Sequence, residues 1–415
     1  MHKQQGKLLK IHNGIIPAEF VADAKPTQRL AGALSGFTVA SIEISAGRIR
    51  TVGSDLPASS LATLSSSLDA SGCVILPGFI DVHVHGSVGH DTMDATPEAL
   101  SEFARFFAQH GVTAFLPTTM TAPHHNILRA VQAVAQQPTL PPDGARCLGV
   151  HLEGPYLSPK YPGAQPATYI RRPNLAEFRA LLAAGPVRMI TLAPEEPGAA
   201  ELIAEALRHN VKVVLGHTNA SYEECEAAIA AGVSQATHTY NAMSPLHQRR
   251  PGTLGAVLSN DAIYAQLIAD NFHVHPAAMK ILARCKGVQR TILITDAIRA
   301  TAMPDGKYDL GGQMVTVTEG QCRLPDGTLA GSTLTMEQGL RNFMAATDLS
   351  LAEAWPASSR TAAQALGVAH EFGALVPGYH ADLVLLDEQL QVIGTIVAGR
   401  VVYLREPARL THPPS

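Results

Sequence analysis

At 415 residues with 46% hydrophobic content, the chain can bury a sizeable core, which excludes a disordered protein and allows one large domain with an appendage, or two domains. A net charge of −4 without basic or acidic blocks disfavours a nucleic-acid or anionic-membrane surface, so any site for an anion must be built locally. The five cysteines are scattered with no CxxC pair, Met1 to Lys7 lead into no apolar signal region, and no apolar run reaches the roughly 18 residues a membrane span needs. These features point to a soluble, cytoplasmic protein whose cysteines are ordinary core residues.

Residues 1 to about 75 read as short strands and turns. Ala40 to Val52 alternates apolar and polar residues on either side of the Ala46-Gly47 turn, a hairpin signal. The far end mirrors it, with Ala381 to Asp387 and Val392 to Val402 again reading as strands. The two ends, 1–75 and 374–415, are expected to pair into one small β-sandwich domain.

Between them, over 76–373, short apolar runs alternate with amphipathic helices, the sign of a parallel sheet with helical crossovers. Pro77 to Gly86 reads as a buried strand leaving a Pro-Gly turn and ending in His83 and His85, which, two apart, project to one face. Thr96 is an N-cap, Pro97 the first helical residue and Gly111 the stop. Val112 to Thr118 is the second strand, followed by a helix near Asn126 to Gln137, and Arg146 to Glu153 is the third. Val187 to Leu192 is the fourth and Val211 to Gly216, ending at His217, the fifth. A short sixth strand ends at His238, Ile263 to Ala269 feeds the loop holding His273, and Thr291 to Asp296 is the eighth. Eight such units predict an α/β architecture, a (β/α)8 TIM-like barrel.

In such a barrel the active site lies where the strands end. His83, His85, Glu153, His217, His238 and Asp296 all fall there. A lone strand histidine is usually a hydrogen-bonded core residue, but six metal-competent groups on one rim point to a divalent cation. Imidazoles with one carboxylate suit zinc, with a position left for a water that the ion would acidify.

These residues, with the stretches His151-Leu152-Glu153-Gly154-Pro155, Asn241-Ala242-Met243-Ser244-Pro245 and Ala330-Gly331-Ser332-Thr333-Leu334-Thr335-Met336, resemble the amidohydrolase superfamily. Within it they resemble the N-acetylglucosamine-6-phosphate deacetylases. The resemblance implies that Glu153, His217 and His238 hold the principal metal, Glu153 replacing the carboxylated lysine that bridges two metals in relatives such as dihydroorotases. The expected cofactor is a divalent metal, zinc, at one per subunit or two. His83 and His85 would hold a second ion or pack beneath the first. Asp296 would act as general base and then acid, and His273 would polarise the acetyl carbonyl.

The same resemblance assigns Ala164, Gln165, Asn241, Ala242, Leu329, Ala330 and Gly331 to the sugar phosphate. Arg249 would reach the phosphate in a neighbouring subunit's site, implying a homodimer. Three positions depart from the family pattern: Gln165, where many members have histidine, Arg250, where many have an acidic residue, and Arg299, where a small or apolar residue is commoner. The implied reaction is hydrolysis of N-acetyl-D-glucosamine 6-phosphate to glucosamine 6-phosphate and acetate. The alternatives are N-acetylgalactosamine 6-phosphate or an unphosphorylated N-acetylhexosamine, an N-acyl-amino-acid or cyclic-amide hydrolase, and a non-catalytic barrel.

Overall fold

Eight short strands with almost wholly buried side chains form the centre of the molecule, the pattern expected of strands covered on both faces. They are β1 (Phe79–Val84), β2 (Val112–Thr119), β3 (Val150–Glu153), β4 (Val187–Leu192), β5 (Lys212–Leu215), β6 (Gln235–Ala236), β7 (Tyr264–Ile268) and β8 (Thr291–Ile294). Each pairs in parallel with the next. The ring closes where the Asp296 N–H donates to the His83 carbonyl at 2.9 Å. Asp81 reinforces that seam, its carboxylate accepting from the Thr295 hydroxyl at 2.5 Å and from the Thr295 and His83 N–H groups. Burial pushes the Asp81 carboxyl up to about 6, against the Thr295 hydrogen bond. The computed structural model describes residues 8–22, 30, 32–54, 64–137, 139 and 141–412, so the reading of Met1 to Lys7 lies outside the described residues.

The crossover helices form for the reasons legible in the sequence. In Pro97–Gln109 the Thr96 Oγ1 accepts from the Ala99 N–H and proline occupies the first turn, where its missing donor costs nothing. Its apolar stripe seats Phe107 against Phe115 of β2, ring centroids 4.9 Å apart, a contact worth about 0.5–1.5 kcal/mol beyond its buried area.

The two chain ends pair as expected. Val74–Pro77 runs antiparallel to Leu383–Leu386 within a sheet that also holds the hairpin Phe37–Ser45 and Arg48–Gly53, and the strands Val392–Val397 and Arg400–Leu404. The first barrel strand leaves the Pro77-Gly78 turn as read: Pro77 ends a strand of the lobe sheet and Phe79 begins the barrel. Two differences from the sequence reading follow from tertiary packing. A three-stranded antiparallel sheet, Gly306–Leu310, Gln313–Thr318 and Gln321–Arg323, follows β8 where no element was expected. All five cysteines are free, but Cys285 is exposed rather than in the core. Among the described residues no helix is long and apolar enough to cross a membrane.

Gly78 joins the lobe to the barrel. Its N–H donates to the Asp382 carbonyl at 2.9 Å, and its carbonyl accepts from the Ser359 hydroxyl at 2.7 Å. A Cβ here would lie 2.2 Å from both Cγ2 and Oγ1 of Thr113, a side chain locked inside β2. Gly78→Ala is therefore expected to destabilise the fold by about 1–3 kcal/mol, read as a lower urea midpoint. An unchanged midpoint would show that Thr113 can turn aside.

Candidate active site

The metal-competent side chains sit at or near the C-terminal ends of barrel strands, and at three of them the backbone is strained. His217 (φ 48°), His238 (φ 24°) and Asp296 (φ 52°) occupy left-handed conformations ordinarily left to glycine. Such a residue costs on the order of 1–3 kcal/mol and persists only where its surroundings over-determine it. The result is that imidazoles and carboxylates from β1, β3, β5, β6 and β8 turn inward to one point.

Glu153 is at that point, and its two oxygens face different histidine pairs. Oε1 lies 3.1 Å from His217 Nε2 and 3.1 Å from His238 Nε2, which are themselves 3.1 Å apart. Oε2 lies 3.1 Å from His85 Nε2 and 3.4 Å from His83 Nε2, which are 3.3 Å apart. Asp296 Oδ1 completes the second group, 3.3 Å from His85 Nε2 and 3.5 Å from His83 Nε2.

The far side of the rings decides what this cluster can bind. His85 Nδ1 meets the Thr118 carbonyl at 3.1 Å and His217 Nδ1 the Tyr161 carbonyl at 3.1 Å. A carbonyl only accepts, so these Nδ1 atoms carry the protons and the Nε2 lone pairs point inward. Inward lone pairs and carboxylate oxygens this close repel unless a cation lies between them. A tetrahedral ion with bonds of ~2.0–2.2 Å has ligand-to-ligand edges of about 3.3–3.6 Å, close to the spacings found. The residues fit a divalent metal, in two overlapping groups that share Glu153: His83, His85 and Glu153, and Glu153, His217 and His238.

The electrostatics agree. Burial opposes a charge on Glu153, yet the surrounding rings of His83, His217 and His238 hold it well below the usual carboxylate range. Asp296 is likewise lowered, burial being outweighed by His83 and His85. Beneath the cluster, His151 is driven well below its ordinary value by burial and by His83, whose ring it meets edge-on at 4.7 Å. It bonds Thr191 Oγ1 at 2.8 Å and stays a neutral support.

The cluster opens into a cavity of about 590 Å³. Ala164, Gln165, Asn241, Ala242, His273, Leu329 and Gly331 all line it, together with His85, Glu153, His217, His238 and Asp296. The structure does not bring every expected residue there. Ala330 is fully buried behind the wall, packed with Met120 and Ile298. Arg249 and Arg250 lie in an adjoining hollow of about 640 Å³, separated from the cavity by Tyr161, which lines both. Arg299 turns away to Asp94, 2.8 Å distant, and braces the loop after β1, so it does not alter the sugar site.

Gln165 also differs from its reading as a neutral phosphate contact. Only 5% exposed, it accepts from the Thr121 N–H at 2.7 Å through Oε1 and donates from Nε2 to Glu153 Oε2 at 2.6 Å. Because the backbone N–H can only donate, the amide orientation is fixed. Gln165 therefore orients the shared carboxylate.

Three functional features had no reading from sequence. Asp270 holds His273, its Oδ2 2.7 Å from Nδ1, while its Oδ1 takes the His273 N–H. Lys160 lines the mouth, without an ion-pair partner among the described residues. The inserted sheet contributes Leu310 and Arg323 to the wall. The turn Gly311-Gly312, flanked by alternating residues, was the available signal for that sheet.

Residues 74–402 match the amidohydrolase family. The chain is 44% identical over 336 residues to N-acetylglucosamine-6-phosphate deacetylase of Lysinibacillus sphaericus, covering 80% of this chain and 87% of the relative. The chain belongs to the amidohydrolase family, among the N-acetylglucosamine-6-phosphate deacetylases. This amidohydrolase is also 41% identical over 330 residues to N-acetylgalactosamine-6-phosphate deacetylase of Escherichia coli O157:H7, covering 79% of this chain and 87% of that one. Its fold matches an aspartate-to-alanine mutant of N-acetyl-D-glucosamine-6-phosphate deacetylase from Mycobacterium smegmatis, solved in complex with N-acetyl-D-glucosamine-6-phosphate. That match has a TM-score of 0.83 and 33% identity, and covers 96% of this chain and 99% of the other.

The Gln165 contacts give a test. Gln165→Leu strands the buried Thr121 N–H and frees the Glu153 carboxylate to rotate, so the metal-free protein is expected to lose roughly 1–3 kcal/mol in urea denaturation. Equal stability would mean that water replaces the amide at both contacts.

Proposed function

We propose that this amidohydrolase hydrolyses N-acetyl-D-glucosamine 6-phosphate to D-glucosamine 6-phosphate and acetate. The observation that carries the reading is the buried cluster around Glu153 at the floor of a sugar-sized cavity, in a chain whose relatives are named for this reaction. A divalent ion on Glu153, His217 and His238, which we take to be zinc, with a second accommodated beside His83 and His85, would polarise the amide carbonyl and acidify the attacking water.

The chain's own groups account for the proton movements. Asp296, held below the usual carboxylate range, starts ionised and takes a proton from the water as its oxygen bonds to the acetyl carbon. Asp296 then gives that proton to the nitrogen as the C–N bond breaks, so acetic acid and a neutral amine leave, and the acid's remaining proton passes to the solvent or the amine to give acetate. His273, which lines the cavity, would face the carbonyl oxygen. Its Nδ1 proton is engaged by Asp270, so a second proton on Nε2 is what would let the ring donate to the developing oxyanion.

Asn241, Ala242, Leu329 and Gly331 would hold the sugar, and Lys160 and Arg323 at the mouth would favour its anionic end. We read the protein as a homodimer in which Arg249, exposed and without an ion-pair partner among the described residues, serves the partner's phosphate through the planar fork suited to that group. We infer a cytoplasmic setting from a charged sugar substrate and five free cysteines.

The relative named for N-acetylgalactosamine 6-phosphate supports a second reading with the same chemistry on the C4 epimer. Acetate release by purified protein on both phosphorylated sugars and on free N-acetylglucosamine separates these. We expect the highest kcat/KM on N-acetylglucosamine 6-phosphate, loss on chelation and recovery with zinc. A higher value on the galactose epimer would reverse the assignment, and activity untouched by chelation would overturn the metal chemistry. Asp296→Asn is expected to keep its metal but lose about 10²–10⁴-fold in kcat. Near-normal turnover would remove Asp296 from proton transfer.

A further inference from the structure

We propose that a buried hydrogen-bond chain beneath the site, from His83 through Thr237 and Gln266 to Gln235, sets which nitrogen of His83 carries the proton and so prepares that ring to bind metal. The inference rests on the metal reading above and concerns residues that touch neither substrate nor ion.

Barrel interiors are ordinarily filled with branched apolar side chains, and burying an amide costs free energy unless its hydrogen bonds are made. Here Gln235 of β6, Thr237 just beyond it, and Gln266 of β7 are each fully buried. His83 Nδ1 lies 2.9 Å from Thr237 Oγ1. Thr237 Oγ1 lies 3.2 Å from Gln266 Oε1, and Gln266 Nε2 lies 3.0 Å from Gln235 Oε1.

His83 needs such a chain because its partner is ambiguous. His85 and His217 face backbone carbonyls, which fix the proton on Nδ1 by themselves. A hydroxyl can either give or accept a proton. If Thr237 donated to His83 Nδ1, the ring's proton would sit on Nε2, aimed at Glu153 and His85, and the ring could not ligate.

Gln266 removes the ambiguity. Its carbonyl oxygen claims the Thr237 proton, so Thr237 accepts from His83 Nδ1–H and leaves the Nε2 lone pair facing inward. The far side of Gln266 keeps the amide in this sense. Its NH2 has two acceptors, Gln235 Oε1 at 3.0 Å and Met189 Sδ at 3.8 Å. Turned over, the amide would set an oxygen against a sulfur that has no proton to give.

The test titrates cobalt(II) into metal-stripped wild type and the variants Thr237→Val, Thr237→Ser and Gln266→Leu. It follows visible absorption and measures affinity by chelator competition. We expect Thr237→Val to weaken the ion held by His83 by about 10- to 100-fold, the usual effect of removing such an outer partner. Thr237→Ser should restore it. Gln266→Leu should weaken it similarly although it touches no ligand, while the ion on Glu153, His217 and His238 binds as before. Urea midpoints check folding, and Gln266→Met replaces the leucine variant if that one unfolds. Wild-type affinity in the folded Gln266 variant would overturn the relay while leaving the metal reading intact. A wild type that takes up no cobalt would overturn the metal reading, and the relay with it.

Discussion

A single ionised carboxylate, buried and shared, is the constraint on which the rest of this structure depends. Moving a charge into a protein interior costs several kcal/mol unless partners compensate. Glu153 is only 2% exposed; the Gln165 amide donates to it, and the Nε2 atoms of His83, His85, His217 and His238 crowd around it in the arrangement that a shared cation would compensate. No one element could supply these partners. The parallel barrel supplies them by bringing strand ends that are distant in sequence into one ring.

The barrel in turn places strained backbone at that ring. His217, His238 and Asp296 adopt left-handed backbone just where they leave their strands. The β1–β8 seam that positions Asp296 is stitched by its own N–H to the His83 carbonyl and by Asp81 to Thr295. Three strained ligand positions and a seam of buried polar contacts thus meet at the C-terminal rim.

Beneath the visible ligands lies a layer of polar side chains that would make little sense as core. His151, Thr237, Gln235 and Gln266 are fully buried in positions a stability argument would assign to valine or leucine. They orient rings and assign protons. Rings that present lone pairs inward need partners on their other side, and His85 finds the Thr118 carbonyl, His217 the Tyr161 carbonyl and His83 the Thr237 hydroxyl.

Much of this was legible in the chain itself. Alternation, N-caps and apolar runs located the strands and helices of the barrel because those signals are local. The histidines and carboxylates at the ends of the runs marked the rim. The pairing of both chain ends followed from their shared strand character. What only the tertiary structure decided depends on side chains meeting across long sequence distances. Gln165, twelve residues from Glu153, reads as a loop residue near a phosphate but folds back onto that carboxylate. Arg299 reads as an altered site residue but pairs with Asp94, 205 positions away. Ala330 adjoins two cavity residues yet points into the core, because neighbours along an extended segment face opposite ways. Sequence determined which groups reach the rim; packing decided which way each one faces, since orientation is set by partners that no local pattern encodes.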